Sequence, residues 1–170
     1  ELIATLKRIL MKRSGPQQLV LQDVTFCYPG AELLLDHINL TVRPGEIVAI
    51  SGDSGVGKTT LLHTAAGLLK PASGTVSRPQ RLGFKFQDDR FLPWRSNCWN
   101  VALPLIYSSV KSQDSLAYAR YLLDEAGLGG WEHAAPEELS GGMKKRWAFA
   151  RCFARIPDAI LLDEPFCGLD

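Results

Sequence analysis

The sequence predicts an α/β fold: a layered domain with a mostly parallel core sheet, an antiparallel β part at its N-terminal end, and a helical insert. Three observations lead there. Two short, continuously apolar runs, Glu46-Ile-Val-Ala-Ile-Ser51 and Ala159-Ile-Leu-Leu-Asp163, have the composition of strands buried on both faces. Leucine- and alanine-rich segments, Lys58–Leu69 and Ser140–Ala154, read as helices beside them. Strands that alternate with helices form layers with a largely parallel sheet.

Taken in order, Leu19–Phe26 is rich in branched and aromatic residues and reads as a strand, broken by Tyr28-Pro-Gly. Leu33–Val42 is a second strand, ended by Arg43-Pro-Gly, and Glu46–Ser51 a third. A glycine-rich loop leads into the Lys58–Leu69 helix, which Pro71 and Gly74 end. Leu82–Phe86 reads as a further strand. From Gln87 to about Pro104, the stretch holding Pro93, Trp94 and Trp99 has no simple period. Ser112–Ala126 and Ser140–Ala154 read as helices, bounded by Gly127-Leu-Gly-Gly and Glu137-Glu-Leu, and Ala159–Asp163 closes the series.

Composition narrows the function classes. At 170 residues and 46% hydrophobic, the chain can bury a core, and a net charge of +1 gives no electrostatic case for a nucleic-acid partner. Cys27, Cys98, Cys152 and Cys167 lack CxxC spacing, as expected of reduced thiols rather than a disulfide frame or zinc site. No apolar run approaches the ~20 residues that span a bilayer, and Glu1–Leu10 lacks the character of a signal peptide. Residues 1–17 are read as an N-terminal extension expected to fray or be disordered. Leu2, Ile3, Leu6, Ile9 and Leu10 could alternatively line one face of a short basic helix. The start at Glu1, with Met11 downstream, and the stop at Asp170 suggest a fragment.

Two motifs carry chemistry. Gly52-Asp53-Ser54-Gly55-Val56-Gly57-Lys58-Thr59 matches GxxxxGK[ST] between a predicted strand and a predicted helix. Gly52, Gly55 and Gly57 permit backbone turns that aim successive N–H groups at a phosphate, and the helix N-terminus adds its own donors. Thr60 continues that first turn. Lys58 is placed to reach the β- and γ-phosphates of ATP, and the Thr59 hydroxyl to complete a Mg²⁺ shell. In the second motif, Asp163 and Glu164 stand at the carboxyl end of an apolar strand, the edge where open α/β sheets collect ligands. Asp163 suits a Mg²⁺ carboxylate, and Glu164 suits orientation or deprotonation of the attacking water.

Leu139-Ser-Gly-Gly-Met143 makes the reading specific, because it resembles the LSGGQ signature of ABC ATPases, and the order of motifs agrees from roughly Val20 to Asp170. The resemblance implies a P-loop NTPase fold over residues 18–170, incomplete at its C-terminus, with the helical insert at about 88–138. It implies that Ser140, Gly141 and Gly142 close over the nucleotide held by a second subunit. Tyr28 corresponds to the aromatic that stacks on adenine, and Gln87 to the glutamine that contacts Mg²⁺ and water and senses the membrane partner. Gly168-Leu-Asp170 resembles the start of the D-loop. Met143 departs from the usual glutamine in a form similar to that of several importers. Asp89-Arg-Phe-Leu-Pro-Trp-Arg95 resembles the segment of nitrate, sulfonate and taurine importers that receives a permease helix; exposed Phe91 and Trp94 would suit such docking, and the alternative is that both are core residues of the helical insert. Lys144-Lys-Arg146 is expected to be a solvated helix face.

The resemblance therefore implies an ATP-hydrolysing subunit, with Glu164, Lys58 and Gln87 as its catalytic residues. It would be peripheral on the cytoplasmic side of the inner membrane and partnered by permease subunits, a second cassette and a solute-binding protein. A soluble ABC ATPase of DNA repair or the ribosome, and an inactive nucleotide-binding fragment, are the alternative readings. The family's switch histidine lies beyond Asp170, and His37, His63 and His133 stand in the wrong places to replace it. The strands that normally follow the D-loop are missing too, so an unpaired sheet edge is expected, as are weak MgATP binding and poor turnover by these 170 residues.

Overall fold

The computed structural model describes residues 17–88, 90–108 and 110–165. The expectations for residues 1–16, Asp89, Cys167 and the D-loop start at Gly168–Asp170 therefore lie outside the described residues. The chain divides into two compact units, one up to Leu82 and one from Gly83 onward.

In the first unit, β1 (Leu19–Cys27) is the centre of an antiparallel sheet, flanked by β2 (Leu33–Val42) and β3 (Ser73–Ser77). Leu19, Leu21, Val24 and Phe26 are its buried residues, and the irregular spacing marks a bulge between Leu21 and Val24 in the pairing with β2. Asp23 sits in that bulge with φ 54°, its N–H donating to Asn39 Oδ1 at 3.0 Å. The bulge explains a glycine on β3: a Cβ on Gly74 would stand 2.3 Å from the Asp23 carbonyl oxygen. β3 was not expected from the sequence. Its Ser-Gly-Thr-Val-Ser run has the composition of a turn, and pairing with β1 makes it a strand.

Helix α1 (Lys58–Ala66) follows the glycine loop and stops earlier than Leu69. Gly67 takes the left-handed conformation at φ 75°, and its N–H returns to the last carbonyls, a glycine C-cap. His63 lies within this helix.

Glu46–Ser51 departs from expectation: it forms no strand. Ile47 is 96% exposed, and Val48 and Ile50 are exposed as well. A buried strand needs a ladder partner on at least one side, and no described strand pairs with this run.

The second unit pairs β4 (Leu82–Lys85) with β5 (Ala159–Leu162). The Asp163 N–H, one residue past β5, donates to the carbonyl of Lys85, the last residue of β4, at 2.9 Å. Both carboxyl ends thus lie together, as in a parallel pair. Gly83 seats this pair, since a Cβ there would come 2.7 Å from the Cys152 carbonyl oxygen.

Around it stand α2 (Asn97–Ile106), α3 (Ser112–Glu125) and α4 (Gly141–Phe153). Helix α2 was hidden in the sequence by Trp99 and by Pro104. Ser96 opens it by accepting the Trp99 N–H. The core joins Val101, Ala102, Ala119, Leu123, Leu128, Leu139 and Trp147, all buried. Arg146 is more than a solvated charge: its Nη1 donates to the Ala126 and Gly127 carbonyls, capping the end of α3. No helix among the described residues is long and apolar enough to cross a membrane.

Candidate functional site

The first unit carries the phosphate loop. Gly55 and Gly57 have φ of 84° and 98°, in the region that suits glycine, and Gly57 is the residue immediately before α1. The loop thus turns directly into a helix whose first N–H groups have no internal acceptor. Gly52, Asp53, Ser54, Gly55 and Val56 are exposed, Lys58 and Thr59 half-buried and Thr60 buried. Lys58 Nζ reaches back across the loop and donates to the Gly52 and Asp53 carbonyls at 2.8 and 2.6 Å. Its ammonium is therefore held over the ring of backbone that would receive an anion. Tyr28 comes to the same end of α1, its hydroxyl 3.2 Å from Thr60 Oγ1, with its ring edge-on to Phe26. The ring is 44% exposed, enough to present a stacking surface.

The second unit carries the acids. Asp163 is 4% exposed. Glu164 is exposed and left-handed at φ 45°, a strained setting for a non-glycine residue and one often found at functional sites. Gln87 Nε2 donates to Glu164 Oε2 at 3.0 Å, so the residues just beyond β4 and β5 meet side chain to side chain.

Ser140 caps α4, its Oγ accepting the Met143 N–H at 3.3 Å. Gly141 and Gly142 follow, exposed, and a Cβ on either would meet nothing within 4 Å. Neither has a left-handed φ, so packing among the described residues does not require glycine at these positions. Close approach by something outside the chain would. Ser140, Gly142 and Met143 share a cavity of about 430 Å³ with Pro165, the residue after Glu164.

Phe91 and Trp94 part company. Trp94 is 74% exposed, as the docking reading needs. Phe91 follows the other reading and packs on the core, edge-on to Trp147 at 6.1 Å between centroids, with Lys144 Nζ over its ring at 5.6 Å.

Two residues not singled out in the sequence hold this loop. Asn100, fully buried, accepts the Leu92 N–H and donates to the Leu92, Arg95 and Ser96 carbonyls. Arg151 donates to the Arg90 carbonyl at 2.6 Å, and burial lowers its guanidinium pKa from the ordinary value. A buried asparagine inside a helix leaves no periodic trace in a sequence. Lys85, interrupting the apolar Leu-Gly-Phe-Lys-Phe strand, does leave one.

A family model described as ABC transporter matches residues 35–167. The chain belongs to the ABC transporter family. Among curated relatives, it is 45% identical over 141 residues to "Aliphatic sulfonates import ATP-binding protein SsuB 3" of Paraburkholderia xenovorans (strain LB400), covering 83% of this chain and 55% of that protein. It is 44% identical over 143 residues to SsuB 1 of Paracoccus denitrificans (strain Pd 1222), covering 83% and 57%. The chain thus spans about half the length of the curated relatives it matches. Among solved structures, it is similar to the ATP-binding cassette MJ0796 in a dimeric, post-hydrolysis state bound to ADP and Pi. That match has a TM-score of 0.80 and 32% identity over 89% of this chain and 76% of that one. The expected P-loop NTPase fold agrees with this family and this neighbour.

Proposed function

We propose that the chain is the nucleotide-binding part of an ATP-hydrolysing ABC subunit that powers import of an organic anion of the sulfonate type through a partner permease. The observation that supports it most is the phosphate loop: left-handed Gly55 and Gly57 lead straight into α1, with Lys58 folded over the loop backbone. Eight relatives matched at 42–45% identity carry aliphatic sulfonate import in their names, which supports the substrate class.

In this reading, the loop amides and the α1 N-terminus hold the β- and γ-phosphates, and Lys58 leaves the Gly52 and Asp53 carbonyls to offset charge on the transferring phosphoryl group. Tyr28 carries the adenine on its exposed face. Glu164 takes or orients a proton of the attacking water, held in place by Gln87. Water oxygen bonds to the γ-phosphorus as the bridging oxygen departs with ADP. Hard oxygen donors of the kind Mg²⁺ takes stand in each unit: the Thr59 hydroxyl in the first, and the Gln87 amide oxygen and the Asp163 carboxylate in the second. When bound, Mg²⁺ supplies charge neutralisation at the phosphates. Ser140, Gly141 and Gly142 would face the nucleotide of a second cassette, where their bare backbone allows close approach. Trp94 offers an exposed ring to the permease, and a solute-binding protein completes the system on the far side of the membrane. The subunit itself would sit on the cytoplasmic face.

The test is titration of the purified chain with a fluorescent ATP analogue and Mg²⁺. Lys58→Ala is expected to weaken binding more than about tenfold, the loss of one charge-assisted contact. Glu164→Gln should leave binding intact while abolishing whatever turnover the wild type shows. Equal affinity of Lys58→Ala and wild type would overturn the proposal.

A further inference from the structure

Lys85 is the last residue of β4, and it is 5% exposed. A buried ammonium is unfavourable unless its protons find acceptors, and an apolar strand gives it no reason to be there. Its Nζ donates to the Phe86 carbonyl oxygen at 3.0 Å, on the peptide that leads into Gln87. Its own carbonyl accepts the Asp163 N–H at 2.9 Å, on the Leu162–Asp163 peptide that leaves β5. Lys85 thus ties down both exits from the β4–β5 pair. One residue beyond those two contacts, Gln87 Nε2 meets Glu164 Oε2 at 3.0 Å.

Lys85 lies with Gly83 on the buried side of β4, the side on which Gly83 meets the Cys152 carbonyl. The Cys152 thiol feels the Lys85 charge, which works against the burial that raises its pKa. The ammonium therefore sits in a dry environment between the sheet and α4. In such surroundings a single hydrogen bond to a carbonyl restrains the backbone more than it would in water.

We propose that Lys85 is a positioning residue: by bonding the Phe86 carbonyl it fixes the turn out of β4 and so sets where the Gln87 amide meets the Glu164 carboxylate. The functional weight of this rests on the reading above, in which Gln87 and Glu164 attend the attacking water. The geometry itself does not.

The test is side-chain amide NMR of the purified chain without nucleotide. The Gln87 Nε2 cross-peaks are assigned by their loss in Gln87→Ala, and the effect of the Glu164 bond by their shift in Glu164→Ala. Lys85→Met keeps length and burial but has no donor, and is expected to move the Gln87 peaks to their Glu164→Ala position. Lys85→Arg, which keeps a donor, should leave them nearer the wild-type position. Unmoved Gln87 peaks in Lys85→Met would overturn the proposal. If Lys85→Met does not fold, the wild type still decides. The proposal requires a slowly exchanging Lys85 ammonium cross-peak near neutral pH, and a rapidly exchanging ammonium would sink it. Failure of ATP binding would overturn the nucleotide reading and leave these resonances unaffected, so the two failures are distinguishable.

Discussion

Glu46–Ser51 and Ala159–Leu162 are nearly the same in composition, a few branched aliphatic residues in an unbroken run, yet they end differently. Ala159–Leu162 is strand β5, paired with β4, with Leu161 buried against the rest of its unit. Glu46–Ser51 forms no strand, and Ile47 at its start is almost wholly exposed. An apolar run states a demand for partners. Whether it becomes a strand depends on a neighbouring backbone with free donors and acceptors in register. β5 finds one in β4. Glu46–Ser51 finds none among the described strands, although it leads into the candidate phosphate loop of its unit.

The sharpest way to break this contrast is to truncate a residue in each run. Leu161→Ala should cost about 2–4 kcal/mol, through lost burial and a residual cavity, whereas Ile47→Ala should change stability by less than about 0.5 kcal/mol. Urea unfolding of the two variants beside wild type measures both. A comparable loss in Ile47→Ala would mean that its run is covered in solution.

A smaller effect tests how dry the β4–β5 side is. Burial pushes the Cys152 thiol up to about 11 from an ordinary value of 9.0. The folded-state value is the higher one, so the buried neutral thiol contributes fully below about pH 9. That contribution is lost as pH rises towards about 11, and it should be on the order of 3 kcal/mol. Cys152→Ala should flatten the decline in stability over that window in chemical unfolding followed against pH. An unchanged decline would place Cys152 in a wetter setting.

The smallest effect on stability belongs to the exposed run, where the change should instead appear in association. Unpaired apolar backbone recruits other chains. Ile47→Lys with Ile50→Lys should leave the unfolding midpoint within about 0.5 kcal/mol of wild type while raising the monomer fraction in sedimentation at tens of micromolar. Self-association indifferent to both charges would clear this run of responsibility.

The same division runs through the site. Gly52–Thr59 could be read directly, because glycines at fixed spacing before a helix serve backbone conformation, and conformation is a local property. Leu33–Val42 and Ser112–Glu125 likewise announced themselves by period and flanking turns. Ser73–Ser77, a run of turn residues, became a strand because the β1 bulge called for a glycine beside it. Asn97–Ile106 was hidden by Pro104 and by Trp99, a bulky ring whose packing depends on other helices. Phe91 and Trp94 could each be read as exposed or as core; Phe91 is drawn inward by Trp147, a neighbour 56 residues away in the sequence, and Trp94 is not.

Residue identity and spacing were enough to name the family and to single out Gly52–Thr59 and the Asp163–Glu164 pair as candidates, because those features depend on conformations and charges that a few consecutive residues carry with them. Tertiary structure decided that Gln87 meets Glu164, that Lys85 is buried beneath that contact, and that one of two similar apolar runs is a strand. Each of these is a pairing between distant segments. Burial and hydrogen bonding become favourable there only once the fold brings both partners together.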